Sequence, residues 1–290
     1  MLKMIKDFFN GMAFGVTQIV PGVSGGTIAI ILGFYDELIK SVNNFTKDCK
    51  KYLKFLFPLI FGVIVGILLF AWFIDYMLVN YSFPTMLFFI GLIVGIIPIV
   101  YIRVKSSKIK FKEVMLTIVP IVILIAISHI KGVSIENPAE FINNISIYFM
   151  IFIFFVGMIA ASALIIPGLS GSFILLLLGV YSLATYAVSS LRLALTDTVL
   201  LVNVLKVLVP LGIGIIIGGL ITIRLVERLL NNHYKTTYRV ILGLLIGSVY
   251  LLFNEPIVYQ SGMGTNVIII GIVMFILGCI ISFNLGRKKI

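Results

Sequence analysis

The chain alternates long apolar runs with short polar breaks. Apolar runs of about 18 or more residues are the signature of membrane-spanning helices. They fall at 55–79, 84–102 and 114–130, and again at 204–223, 238–253 and 266–285. Ahead of each trio stand two apolar limbs around a loop of small residues. The first pair occupies 12–20 and 28–39, the second 147–166 and 173–190. At 1.5 Å per residue the first limbs reach roughly 14–18 Å, short of a hydrocarbon core of about 30 Å. This predicts a re-entrant hairpin over 12–39. The second limbs are longer, so a full crossing fits there.

The two loops are copies of one string. The first reads Pro21-Gly22-Val23-Ser24-Gly25-Gly26-Thr27 and the second Pro167-Gly168-Leu169-Ser170-Gly171-Ser172. Gly33-Phe34-Tyr35 and Gly179-Val180-Tyr181 follow at the same offset of 146 residues. Laying 15–35 on 161–181 without a gap gives nine identities in 21 positions. Apolar bias alone does not place Pro, Gly, Ser and Gly in one order. Beyond the hairpins the register shifts by six. Pro58, Gly62 and Gly66 then match Pro210, Gly214 and Gly218, and Gly91 and Gly95 match Gly243 and Gly247. We read a duplication, 1–130 and 147–290, joined by a linker at 131–146.

Composition sharpens this. The chain is 61% hydrophobic and 11% charged, with a mean hydropathy of +1.20. A soluble domain averages about 45–50% and about 25%. No room is left for a sizeable soluble domain. A net charge of +11 would suggest nucleic acid in a soluble chain. Here the basic residues gather in loops at 40–54, 103–113 and 224–239 and in the tail Arg287-Lys288-Lys289. The loops at 80–83, 131–146, 191–203 and 254–265 are neutral or slightly acidic. The positive-inside rule puts the basic set and both termini in the cytoplasm and the 131–146 linker outside. No nucleic-acid partner is expected.

Each half then crosses an odd number of times, so the halves face opposite ways. The expected fold is an all-α polytopic membrane protein of two inverted-topology repeats, each a re-entrant helical hairpin plus three transmembrane helices. Secondary transporters share this plan and hold substrate near the midplane on broken helices. The N-terminus shows no apolar segment followed by a cleavage site, so no removed signal peptide is expected. Cys49 and Cys279 have no motif spacing. The sequence carries no signal of oligomeric state.

The candidate chemistry lies in the loops. Pro lacks a donor and Gly opens unusual backbone angles, so Pro-Gly stops a limb. The next helix then starts with free N–H groups, and a helix start favours an anion. Pro21, Gly22, Ser24, Gly25, Gly26 and Thr27, with Pro167, Gly168, Ser170, Gly171 and Ser172, are the candidate anion-binding residues. The competing reading is packing, since small residues let two hairpin tips touch. Thr17 and Gln18 precede the first loop as cavity or interhelix residues, and Asp36, Glu37 and Arg192 are further coupling or attraction candidates. His129 and His233 fall at predicted span ends and read as interfacial. No metal cluster, catalytic triad or nucleotide loop is present in the sequence. No cofactor is expected, and a coupling H⁺ or Na⁺ is compatible with the composition.

On the two loop motifs, the paired Gly-X-Tyr and the full-length layout, the chain resembles the bacterial polyprenyl-phosphate (undecaprenyl phosphate) translocase family of the PopT type. The resemblance implies a flippase in the bacterial cytoplasmic membrane. It would return undecaprenyl phosphate from the outer to the inner leaflet for reuse in cell-envelope synthesis. The partners implied are a polyprenyl phosphate lipid and the bilayer. Two other readings stay open. A transporter or channel for a small inorganic anion would use the same helix starts. A polyprenyl-pyrophosphate phosphatase shares inverted repeats and a Pro-Gly-X-Ser-Arg-Ser loop, but Gly25 and Gly171 stand at the arginine position here. Phosphoryl cleavage would also need a clamp and a metal or base.

Overall fold

The computed structural model describes residues 2–20, 23–105, 111–129, 135–194, 196–259 and 264–287, except the side chains of Arg192 and Ile257. All described elements are helical. Among the described residues six helices are long and apolar enough to cross a membrane, or seven if one bent pair is counted as a span. The chain is an all-α polytopic membrane protein.

The first half contains α1 (Leu2–Ile19), α2 (Gly25–Ile31), α3 (Tyr35–Asn43), α4 (Cys49–Asn80), α5 (Ser82–Val104) and α6 (Phe111–Ser128). A short α7 (Pro138–Phe141) follows, then α8 (Ile147–Ile165), α9 (Gly171–Leu177), α10 (Tyr181–Ala194), α11 (Thr198–Phe253) and α12 (Thr265–Arg287). The lengths differ from expectation in both hairpins. The polar start and the limb 12–20 form one helix of 18 residues, about 27 Å long. The predicted limb 173–190 is instead α9, only seven residues, set at 114° to the helix that follows it. The limb is therefore not one straight helix, and as a bent pair it is a broken span or a re-entrant loop. A broken apolar string looks continuous in hydropathy, so its bend goes unseen.

The bend has a backbone cause. Gly179 takes φ +76°, and the N–H groups of Gly179 and Val180 donate to Leu176 O at 3.1 Å and Leu175 O at 2.9 Å. This is the Schellman closure, with glycine in the left-handed region. In the first half Gly33 takes φ +69°, while Gly33 and Phe34 donate to Ile30 O at 3.0 Å and Ala29 O at 2.9 Å. The two seven-residue helices end the same way.

A second local feature recurs. Tyr81, between α4 and α5, has φ −137° and ψ 45°, and His233 inside α11 has the same values. Thr85 Oγ1 donates to Met77 O at 3.3 Å, and Thr237 Oγ1 to Leu229 O at 3.1 Å. Eight residues along a straight helix would separate such atoms by about 12 Å. The chain therefore turns sharply at both corners, and α11 is two arms folded at His233. The predicted polar loop at 224–239 is mostly helix. Its arginines and glutamate are good helix formers, so their charge does not break it.

Two compact units emerge: Met1–Ser128 with Ile166–Leu169 and Ile223–Ile290, and His129–Ile165 with Ser170–Thr222. They cut across the two sequence halves. In the larger unit α1 and α4 approach so closely that a Cβ on Gly11 would sit 2.0 Å from Leu59 O, and one on Gly62 2.1 Å from Phe8 O. Such small-residue contacts drive helix association in lipid. Gly91 and Gly95 likewise abut Phe275 and Cys279 of α12, and Gly243 abuts Thr117 of α6. The smaller unit repeats the motif, with Gly157 against Leu211 and with Gly214 and Gly218 against Phe154 and Met158. Its core is built on Ile153, Val156, Leu183, Val204 and Val207.

Candidate functional site

Pro21 and Gly22 lie outside the described residues, as does the Arg192 side chain. The rest of the first loop is buried. Ser24 has extended backbone angles and precedes α2 as its N-cap, yet its hydroxyl makes no cap bond. Its Oγ donates instead to Ile166 O at 3.4 Å. Thr27 is 0% exposed, and its Oγ1 accepts the Gly168 N–H at 3.0 Å. Ile166, Pro167, Gly168 and Leu169 belong to the larger unit with the first loop. Gly168 takes φ +87°, and a Cβ there would meet Leu244 backbone at 2.7 Å. Only glycine fits that position without strain.

Gly25 and Gly26 are the first buried residues of α2. A Cβ on Gly25 would meet Gln18 Nε2 at 2.4 Å and Phe14 Cζ at 2.5 Å. Thr17 Oγ1 and Gln18 Nε2 both donate back to Phe14 O, at 2.8 Å and 3.3 Å. Beside them opens an apolar cavity of about 400 Å³ that begins at Thr17 and Ile28. Phe70, Phe73, Ile281 and Leu285 line it and are also exposed at the surface. The mouth is thus apolar.

In the smaller unit Ser170 is the N-cap of α9, and its Oγ lies 2.7 Å from Ser172 Oγ. Gly171 starts α9 with its Cβ position 3.0 Å from Ala160 O. In this conformation both copies satisfy their hydroxyls within protein, and the first copy also engages Gly168 N–H.

Asp36 and Glu37 do not join the loop. They sit in the first turn of α3, where Asp36 accepts from Tyr238 OH at 2.9 Å and Glu37 pairs with Lys3 at 2.8 Å. The Glu37 contact holds the Lys3 ammonium above its usual range. Sequence reasoning missed what surrounds Asp36. Arg103 Nη1 donates to Tyr238 OH at 2.9 Å, and its guanidinium lies 5.2 Å from the Tyr238 ring centre. Next to it Arg239, 7% exposed, pairs with Glu113 at 2.9 Å and donates to Val104 O at 3.0 Å. The available signal was an arginine opening the apolar run 238–253. Among the described residues no cluster of three or more His, Cys, Asp or Glu could hold a metal.

The profile of a family described as Undecaprenyl phosphate translocase-like matches residues 14–266. A Staphylococcus aureus protein named polyprenyl-phosphate transporter is 34% identical over 288 residues, covering 97% of this chain and 95% of its own. A Vibrio cholerae protein of the same name is 29% identical over 262 residues, covering 86% and 77%. No solved structure matches the chain. The family and both relatives are named for transport, in line with the expectation of a protein that is not an enzyme.

Proposed function

We propose, since this chain belongs to the Undecaprenyl phosphate translocase-like family, that it is a transporter of polyprenyl phosphate. It returns undecaprenyl phosphate from the outer to the inner leaflet of the bacterial cytoplasmic membrane, leaving the lipid chemically unaltered. The two halves act as inverted repeats and give access alternately from each face. The phosphate head binds where the loops now bond to protein. Its oxygens accept from Gly168 N–H and the Ser24 hydroxyl, which in this conformation donate to Thr27 Oγ1 and Ile166 O.

The apolar cavity beside the first loop carries this reading. Its volume is about 400 Å³, its walls are hydrocarbon, and its rim is exposed. An isoprenoid tail next to the phosphate fits such a wall. A small inorganic anion has no use for it.

Proteoliposomes test this directly. Labelled polyprenyl phosphate is expected to redistribute between leaflets faster than in protein-free vesicles, while labelled inorganic phosphate and chloride leak at background rates. Anion flux with the lipid left in place would favour the small-anion reading instead.

A further inference from the structure

The larger unit holds a polar cavity of about 490 Å³ between the end of α3, the loop after it and the first arm of α11. Small-ligand sites span about 300–1,000 Å³. The helix contributes Arg224, Glu227, Arg228, Asn231 and Asn232. Their spacing is i, i+3, i+4, i+7 and i+8, so they share one face. Arg224, Arg228, Asn231 and Asn232 are exposed and Glu227 is half-buried. The face is polar throughout and turned on a cavity, with Asn43 and Lys47 opposite.

The internal wiring leaves positive charge over. Glu227 accepts from the side-chain amides of Asn43 and, at 2.7 Å, of Asn44, 183 residues away in sequence. Lys47 Nζ donates to Asn44 Oδ1 at 2.9 Å. Among the described residues neither Arg224 nor Arg228 has a side-chain hydrogen bond or ion pair. Three cations therefore share the cavity with one carboxylate already engaged by amides. All three are exposed, so water screens much of their mutual repulsion, and a bound anion would relieve the remainder. A topology signal needs cations near lipid heads. It does not need them to converge on one cavity from two distant segments.

The larger basic cavity differs. Lys3, Lys40, Lys51 and Lys54 line it with Asp7, Asp36 and Glu37, and Lys3 already pairs with Glu37. Its three carboxylates offset all but one of its four lysines.

We propose that the cavity at Lys47, Arg224 and Arg228 binds a phosphate monoester head, as a site separate from the paired loops. A monoester carries about −1.5 to −2 charges at neutral pH, which suits two guanidiniums and an ammonium. Guanidinium forks bind such oxygens two at a time. The amides of Asn231 and Asn232 supply further donors. A bulk phosphodiester carries one charge and is met by a single interfacial cation.

The test is calorimetric titration of purified protein in non-ionic detergent with farnesyl phosphate and with inorganic phosphate. It is run in the wild type and in a Gly25→Leu background, where the first loop is filled. Arg224→Gln/Arg228→Gln should weaken binding in both backgrounds by about tenfold or more. Lys206→Gln, in the smaller unit and outside the cavity, should not. Loss for farnesyl phosphate alone supports a lipid-linked ligand, and loss for both probes supports recognition of the phosphate group itself. Unchanged affinity for both probes overturns the proposal. Should the double variant fail to fold, Asn231→Ala/Asn232→Ala is read the same way. Because binding is measured without transport, a failure here leaves the transport reading intact, and the reverse also holds.

Discussion

Thr27 and Gly168 join two stretches that are 141 residues apart, through one hydrogen bond with both partners buried. Removing the acceptor strands a buried N–H, which costs about 1–3 kcal/mol. Thr27→Val should lower the unfolding free energy in detergent by that amount, and with it the thermal midpoint, and Thr27→Ser should restore both. Equal midpoints for Val and Ser would show that shape rather than the hydrogen bond matters there. At this scale the sequence was informative about position and silent about partner. The duplicated Pro-Gly-X-Ser strings marked a loop that small residues require. Nothing in a local string says that Thr27 meets Gly168, because long-range pairing is not written in periodicity. Asp36 shows the same limit. Its place after Gly-X-Tyr was visible, but its partner Tyr238 lies 202 residues on.

Among the elements, Arg239 in the second arm of α11 reaches Glu113 in the first turn of α6. The arginine side chain is 9% exposed and the glutamate 24%. Breaking one partner of such a pair leaves a poorly solvated charge. That costs about 3–5 kcal/mol when fully buried, and somewhat less with this exposure. Glu113→Gln should therefore destabilise clearly in denaturation experiments. The double variant Glu113→Gln/Arg239→Met should recover most of the loss, since an apolar isostere often matches a buried pair. No recovery would mean the arginine acts through its bond to Val104 O instead. Element existence was readable from apolar runs, but element ends were not. The string Phe173–Leu178 hides the bend after α9 because apolar residues continue through it. Conversely, Arg224, Glu227 and Arg228 read as a loop although they continue a helix. Hydropathy reports burial in lipid, whereas chain direction depends on single backbone states such as those of Gly179 and His233.

For the whole molecule, the sequence offsets have local structural counterparts. The glycine-closed short helices stand 146 residues apart, and the Tyr81 and His233 corners stand 152 apart. The compact units nevertheless mix the halves, because α5 packs on α12 and α6 on the second arm of α11. Sequence repeats track descent, while compact units track contacts, so the two need not coincide. Under the function proposed above, the loops hold the phosphate head of the lipid. Gly25 is where bulk intrudes, since any Cβ there meets Gln18 and Phe14. The most direct measurement is the initial rate at which labelled polyprenyl phosphate crosses proteoliposome membranes, for wild-type protein and for Gly25→Leu shown to be folded and inserted. The account predicts transport well above protein-free vesicles for the wild type and near that background for the variant. Equal rates for both proteins, or a wild type no faster than empty vesicles, would contradict it.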